Sequence, residues 1–213
     1  MLLLLRQIIL WTLVRPFALL VLGFEARGRV HLPKTGPAIV AANHNSHLDT
    51  LLLISLFPAA ALSRLRPAAA ADTFTATPLV SWFSRRIIGV LPVDRGRPER
   101  GTDPLAGCRE ALARKEILII FPEGTRGDPE ELGRFKSGIA RLAEAEPDAP
   151  IVPVYLQGAG RVLPRGSMLL VPFNCFAVIG APIRFAGKRP EFMARLKDAI
   201  EALRADAPPL RWL

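Results

Sequence analysis

The chain has 213 residues, enough for one domain with a hydrophobic core plus an appendage. A formal net charge of +9 and a pI near 10.7 indicate an anionic partner. This partner could be nucleic acid, a membrane surface or a small phosphorylated substrate. Nucleic acid is disfavoured because the basic residues are scattered, and one Tyr and three Trp offer no stacking platform. The half-hydrophobic, arginine-rich composition instead favours contact with anionic lipid.

The cysteines and histidines follow no metal or redox pattern. Cys108 and Cys175 lie far apart in the sequence and are predicted to be buried apolar residues. The three histidines are His31, His44 and His47, and no cluster has the spacing of zinc ligands. A metal enzyme is therefore disfavoured, and no bound cofactor is expected.

Residues 1–24 are overwhelmingly apolar, but Arg6 and Arg15 interrupt them. No uncharged run reaches the roughly 18 to 20 residues that span a bilayer, so a simple transmembrane helix is disfavoured. A proline follows Arg15, and we predict a kinked pair of short helices embedded in one leaflet, Leu2 to Val14 and Pro16 to Leu22. A cleaved signal peptide and an ordinary core helix are the alternatives.

Residues 25–213 show the alternation of short apolar runs and helical stretches that is typical of an α/β domain. The predicted strands are Ala26 to His31, Ala38 to Ala42, Leu65 to Ala69, Gly89 to Val93, Ile117 to Phe121, Ile151 to Leu156 and Met168 to Ile179. The predicted helices are His47 to Leu56, Pro78 to Ile88, Pro104 to Lys115, Ser137 to Glu144 and Pro190 to Leu203. The last is expected to dock on the sheet through one apolar face, formed by Phe192, Leu196, Ile200 and Leu203. Since open α/β sheets bind ligands beyond the carboxyl ends of their strands, the site is expected in those loops.

The first candidate motif, Asn43 to Asp49, joins a predicted strand to the next helix. His44 and Asp49 could not face each other within one helix, but they can meet across a loop-to-helix corner. There Asp49 could accept the Nδ1 proton of His44 and leave Nε2 free to act as a base. The alternative is structural, because Ser46 and Asp49 also form an acceptable capping box.

The other two histidines compete less well for the role of base. His47 lies two residues from Asp49, and such neighbours point to different sides of a helix. His31 falls in a predicted strand, where a structural or interfacial role is expected.

The second motif, Phe121 to Gly127, directly follows an apolar predicted strand. Gly124 allows close approach of the backbone to a ligand, and Arg126 can hold a phosphate through two parallel hydrogen bonds. Glu123 would hold an arginine or accept a hydrogen bond from a glycerol hydroxyl, unless it is only a carboxylate on a surface turn. The motif suits a phosphorylated substrate.

Two further stretches supply basic residues to the same kind of loop. The predicted strand Gly89 to Val93 leads to Arg95, and Lys136 precedes the predicted helix that starts at Ser137, whose amino end attracts anions. Each of these side chains could equally be a solvated surface charge.

Together the ordered blocks Asn43 to Asp49, Gly89 to Arg95, Phe121 to Arg126 and Ile151 to Val154 resemble the glycerolipid acyltransferase family that includes the 1-acylglycerol-3-phosphate acyltransferases. The resemblance implies a mixed, largely parallel sheet flanked by helices. It implies that His44 and Asp49 are the catalytic pair, and that the substrate is held by Arg95, Glu123, Gly124, Thr125, Arg126 and Lys136. Pro153 belongs to the fourth block. One departure is the alanine-rich stretch Arg66 to Thr73, where many relatives carry a lysine.

The reaction that the resemblance implies is transfer of an acyl group from acyl-CoA or an acyl carrier protein to a lysophospholipid hydroxyl, above all that of 1-acylglycerol-3-phosphate. Another lyso-lipid or glycerol-3-phosphate is the alternative acceptor. A serine hydrolase using Ser46 is disfavoured because that residue lacks the Gly-x-Ser-x-Gly elbow. A non-enzymatic membrane-binding module would leave both motifs unexplained. The expected location is the cytoplasmic face of a membrane, as a monotopic or peripheral protein.

Overall fold

The computed structural model describes residues 2–70, 78–93, 103–163, 171 and 173–209. Its centre is a seven-stranded sheet in the order β1-β7-β6-β2-β5-β3-β4. Strands β2 to β6 run parallel to one another, whereas β7 is antiparallel to β6 and parallel to β1. The strands are β1 Glu25–Arg27, β2 Ala38–Ala42, β3 Leu65–Ala70, β4 Leu91–Val93, β5 Ile117–Ile120, β6 Ile151–Gln157 and β7 Phe176–Ile179. The predicted mixed, largely parallel sheet is confirmed.

Helices cover both faces of the sheet. They are α1 Leu2–Ile9, α2 Leu48–Ser55, α3 Ala59–Leu62, α4 Pro78–Phe83, α5 Ala106–Ala113, α6 Gly138–Ala145, α7 Ala159–Val162 and α8 Arg189–Ala205. Strand β2 alternates between the two cores, with Val40 in the core that contains α2 and Ile39 in the core that contains α5, α6 and α8. Burial on both sides explains why the central strands are continuously apolar.

Helix α8 confirms the predicted apolar face. Phe192, Leu196 and Ile200 are fully buried, and Leu203 packs beside them. The helix therefore docks on the sheet through one stripe, as its period of apolar residues predicted.

The apolar N-terminal segment is one continuous helical stretch, so the predicted pair of separate helices is wrong. Helix α1 continues into π-helical turns at Leu10–Val14 and Phe17–Val21, and Pro16 keeps helical dihedral angles. In a regular α-helix the proline ring would collide with the carbonyl four residues earlier. The wider π-helical turn, in which the Arg15 N–H reaches the Leu10 carbonyl, accommodates the proline.

Leu4–Val21 is long and apolar enough, by length and composition, to cross a membrane, and 17% of it is buried. An ordinary core helix would be mostly covered by protein, so that alternative is disfavoured. Arg6 is the charged residue among those that this segment buries: it is 3% exposed, and its guanidinium donates to the carbonyls of Leu65, at 3.0 Å, and Ile88, at 3.1 Å.

Other boundaries differ from the predictions where a glycine adopts a positive φ. The first predicted strand ends at Arg27 because Gly28 has a φ of 75°, and Arg29–His31 form a 3-10 turn. Gly89, with a φ of 78°, ends a π-helical turn at Ser84–Ile88, so β4 starts only at Leu91. The predicted strand Met168 to Ile179 lies partly outside the described residues, and its described part is a strand over Phe176–Ile179 alone.

Candidate active site

The two predicted motifs meet at one edge of the sheet. Strands β2 and β5 are adjacent and parallel, so the loops that follow their carboxyl ends lie side by side. The Asn43 side chain fixes the end of β2 to β6, because its amide donates to the Leu156 carbonyl at 2.8 Å and accepts the Leu156 N–H at 2.6 Å. The loops after the carboxyl ends therefore form the candidate site, as expected.

His44 and Asp49 are in contact. The Nδ1 atom of His44 lies 2.9 Å from Oδ2 of Asp49, whose side chain is 1% exposed. The same oxygen accepts the backbone N–H groups of Asn45 and Ser46, each at 2.7 Å. Three donors converge on one carboxylate oxygen, which fixes the aspartate and, through it, the histidine ring.

The predicted capping box of Ser46 and Asp49 forms only in part, and that part coexists with the pairing of His44 with Asp49. Helix α2 begins at Leu48, where Ser46 Oγ accepts the Leu48 N–H at 3.3 Å, while Asp49 accepts the Ser46 N–H. Asp49 therefore fixes the loop that leads into the helix with the same oxygen that contacts His44.

Phe121 holds the other side of the His44 ring. The two rings stack with their centroids 4.1 Å apart and their planes 19° from parallel. Phe121 belongs to the second sequence motif, but its contact with His44 could not be predicted. The two residues follow different strands, so no local sequence pattern indicates that they meet. Stacking and the Asp49 contact together restrict the imidazole to one orientation.

The structure places Glu123 behind the site and not on its surface. Its carboxylate is 4% exposed and accepts the His44 backbone N–H at 3.1 Å and the Gly133 N–H at 3.2 Å. Burial raises the pKa of Glu123, although these two hydrogen bonds oppose that effect. Since both oxygens already have backbone donors, the geometry favours bracing of the two loops over the predicted contact with substrate.

His44 opens onto a cavity of about 670 Å³. The predicted residues Gly124, Thr125, Arg126 and Lys136 line it together with His44. Gly124 has a φ of 70°, and a Cβ atom there would lie 2.9 Å from Lys136 Cδ and 3.0 Å from its Nζ. Glycine thus lets the lysine side chain cross the turn, and the cavity lining brings His44 together with the basic groups of Arg126 and Lys136.

Arg95 lies outside the described residues. The alanine-rich stretch that departs from the family pattern is described up to Ala70, and Ala68, Ala69 and Ala70 line the cavity wall. Small side chains therefore line the cavity at the carboxyl end of β3. This is the stretch in which the family resemblance implies a lysine in many relatives.

His47 also lines the cavity, which sequence reasoning missed. Partial burial, followed by the neighbouring Arg126 charge, lowers the pKa of His47. A neutral imidazole at the mouth of the cavity can donate or accept one hydrogen bond to a bound ligand.

The two cysteines and Ser46 are poorly suited to covalent chemistry. Cys108 and Cys175 are buried free thiols, as predicted, and burial raises their pKa values to about 11 and about 12. Ser46 is 1% exposed and accepts a hydrogen bond from its own helix. A serine hydrolase that uses Ser46 is therefore disfavoured by geometry as well as by sequence.

Comparisons with known proteins agree with this geometry. A family model described as Acyltransferase matches residues 23–157. A chloroplastic 1-acyl-sn-glycerol-3-phosphate acyltransferase from Brassica napus is 31% identical over 67% of this chain, and one from Saccharomyces cerevisiae is 32% identical over 68%. The crystal structure of the 1-acyl-sn-glycerophosphate acyltransferase PlsC from Thermotoga maritima superposes with a TM-score of 0.74 at 22% identity. It covers 98% of this chain and 83% of that one.

The structural likeness shows the fold, since its sequence identity is low. The chain spans about half the length of the curated relatives it matches, 40% of the Brassica napus protein and 46% of the yeast protein. The family model covers both motifs of the candidate site and more than half of the chain. The chain therefore belongs to the acyltransferase family.

Proposed function

We propose that this chain transfers an acyl group from an acyl thioester to a free hydroxyl of a lysophospholipid. The acceptor we favour is 1-acylglycerol-3-phosphate, which would give phosphatidic acid. The observation that carries the proposal is the contact of His44 with Asp49 at the wall of a cavity that also contains Arg126. The Brassica napus and yeast relatives are named for the same acceptor.

His44 is the general base in this proposal. A histidine whose Nδ1–H is donated to a carboxylate keeps the Nε2 lone pair free. Nε2 takes the proton of the attacking hydroxyl as its oxygen bonds to the thioester carbonyl carbon. The C–S bond then breaks, and the leaving thiolate recovers the proton from His44. No acyl-enzyme and no bound cofactor are required, because the thioester of CoA or an acyl carrier protein is a co-substrate.

Arg126 and Lys136 supply positive charge for the acceptor phosphate. Arg126 can form a bidentate pair with phosphate oxygens, whereas Lys136 is a mobile point charge beside Gly124. We propose Arg95 as a third contact from the family resemblance. The cavity volume of about 670 Å³ falls in the range of small-molecule sites.

The proposed location is one leaflet of a membrane, on its cytoplasmic face. From Leu4 onward, the N-terminal helix exposes eight large apolar side chains and buries Arg6, the reverse of the pattern of a helix that faces water. The net charge of +9 suits an anionic leaflet. A lipid acceptor could then reach the cavity without leaving the bilayer.

The decisive experiment measures release of free thiol from an acyl thioester, with and without lysophosphatidate, by the full chain in lipid vesicles. His44→Ala should lower the acceptor-dependent rate by about 10² to 10⁴. His31→Ala is the matched control, because His31 lies in a 3-10 turn outside the cavity lining. Wild-type rates in His44→Ala would refute the proposal, and thiol release that ignores the acceptor would indicate a hydrolase.

A panel of acceptors then identifies the lipid. Lysophosphatidate, other lysophospholipids and glycerol-3-phosphate are offered separately, and products are identified by mass spectrometry. A higher kcat/KM with lysophosphatidate than with other lysophospholipids is expected, because Arg126 and Lys136 gain most from a terminal phosphate. Preference for glycerol-3-phosphate, or for any acceptor without a terminal phosphate, would overturn this choice of substrate.

A further inference from the structure

Helix α4 presents a second exposed apolar surface, separate in sequence from the N-terminal helix. Leu79, Trp82 and Phe83 are 75%, 47% and 38% exposed, and their spacing puts them on one side of the helix. Arg85 and Arg86 follow in the π-helical turn and are also exposed. These five residues are called the α4 surface below. Among the residues that the structure describes, neither arginine has an ion-pair partner.

The turn that follows helix α4 packs against the N-terminal helix. Helix α1 packs against the turn Ser84–Ile88, and the buried Arg6 donates to the Ile88 carbonyl at 3.1 Å. At Gly89, which ends that turn, a Cβ atom would lie 2.8 Å from an Arg6 guanidinium nitrogen. The close approach made possible by glycine keeps the two apolar elements together.

The cavity reaches the α4 surface. Phe83, Ser84 and Ile88 line the cavity, and Phe83 is at the same time part of the exposed surface. Helix α4 thus lies between the cavity and the outside of the protein, and Phe83 belongs to both the cavity lining and the α4 surface. A long apolar chain entering at Phe83 would pass directly from that covering layer to the site.

We propose that the α4 surface is a second membrane contact, which inserts Leu79 and Trp82 among lipid chains and sets Arg85 and Arg86 against anionic headgroups. The proposal rests on the proposed function only for the presence of a bilayer. The charge of the α4 surface favours a lipid bilayer as its partner. Apolar side chains followed by two exposed arginines match a bilayer whose acyl chains are apolar and whose headgroups are anionic. Tryptophan is also typical of that boundary.

Tryptophan quenching tests the proposal directly, since the chain has three Trp. One variant keeps only Trp82 (Trp11→Phe with Trp212→Phe), and a second keeps only Trp11 (Trp82→Phe with Trp212→Phe). Each is mixed with vesicles of phosphatidylglycerol and phosphatidylcholine whose acyl chains are brominated. Quenching of Trp82 is expected, beside quenching of Trp11 on the N-terminal helix.

The other outcomes separate the two ideas. Quenching of Trp11 without Trp82 would overturn the second contact and leave the membrane location of the proposed function intact. Quenching of neither would overturn both. Enzymatic acyl transfer is measured independently with detergent-dispersed substrate, so that a loss of catalysis is not mistaken for a loss of membrane contact.

Charge variants supply a second test. Arg85→Ser and Arg86→Ser should each weaken binding to vesicles that contain phosphatidylglycerol by about fivefold and leave binding to pure phosphatidylcholine unchanged. Lys34→Ser is the matched control, because Lys34 is exposed and precedes the amino end of β2, away from the cavity. Equal effects of all three substitutions would contradict the assignment.

Leu79→Glu tests the apolar part of the surface. It should lower vesicle binding whether or not the lipid is anionic, whereas Val30→Glu should not. Val30 is 84% exposed and follows β1, at the opposite edge of the sheet from β4. Unchanged binding of Leu79→Glu would overturn the inserted contact.

Discussion

The carboxylate of Glu123 accepts the backbone N–H of His44 at 3.1 Å, and it thereby joins the two motifs of the site through a contact that spans 79 residues of sequence. Its second oxygen accepts the Gly133 N–H at 3.2 Å. Glu123 is buried and therefore fixes the loop of His44 relative to the loop of Gly133. This makes it a positioning residue for His44.

Glu123→Gln should lower kcat by about 10- to 100-fold with little change in the KM for the acceptor, because it shifts His44 without removing a contact to substrate. The glutamine NH₂ group would face one of the two backbone donors, and stability should fall by about 1 to 3 kcal/mol. Steady-state kinetics and chemical unfolding measure the two effects. Glu131→Gln, on the exposed part of the same loop, is the control. A rise in KM with unchanged kcat would instead indicate direct contact with substrate.

Asp49→Asn should reduce kcat by about 10² to 10⁴ while the chain stays folded. The amide can still accept N–H groups at the helix start, but it lacks the charge that stabilises a protonated His44. Activity is compared with thermal unfolding of the same preparation. An activity loss in proportion to lost folded protein would show that Asp49 serves only the helix cap.

Arg126→Ala should raise the KM for a phosphorylated acceptor by roughly 10- to 150-fold, the value of a hydrogen bond to a charged group. With a phosphate-free acceptor the effect should be small. Arg134→Ala is the matched control, because this arginine is exposed on the same loop and does not line the cavity. Equal losses with both acceptors would argue against a phosphate contact.

The sequence predicted those parts of the site whose causes are local. Alternating apolar runs predicted the central strands, and the corner between β2 and α2 allowed the contact of His44 with Asp49. The position of Glu123 could not be predicted, because it depends on the adjacency of β2 and β5. The burial of Arg6 could not be predicted either, since its acceptors Leu65 and Ile88 lie 59 and 82 residues away in the sequence.

Arg6→Met should destabilise the chain by about 2 to 4 kcal/mol, because it leaves the buried carbonyls of Leu65 and Ile88 without their donor. Arg15→Met should have a smaller effect, since Arg15 is only half-buried and lies over the Trp11 ring. Thermal unfolding in a mild detergent compares the two variants. Equal shifts in Tm would show that the Arg6 hydrogen bonds contribute nothing specific.

His47 should give the chain a pH-dependent stability. Partial burial, and then Arg126, hold its folded pKa below the ordinary value of 6.5, so the unfolded chain binds more protons between these two values. The associated stability is complete above the unfolded pKa and is lost as the pH falls through the folded pKa.

Denaturant midpoints measured from about pH 8 down to about pH 5 should therefore decline less in His47→Gln than in the wild type. His31→Gln is the control, as a histidine outside the cavity. Arg126→Ala should reduce the slope in part, because it removes the second cause of the pKa shift and leaves the first. If the denaturant midpoint changed with pH identically in His47→Gln and in the wild type, another group would be responsible for the loss of stability at low pH.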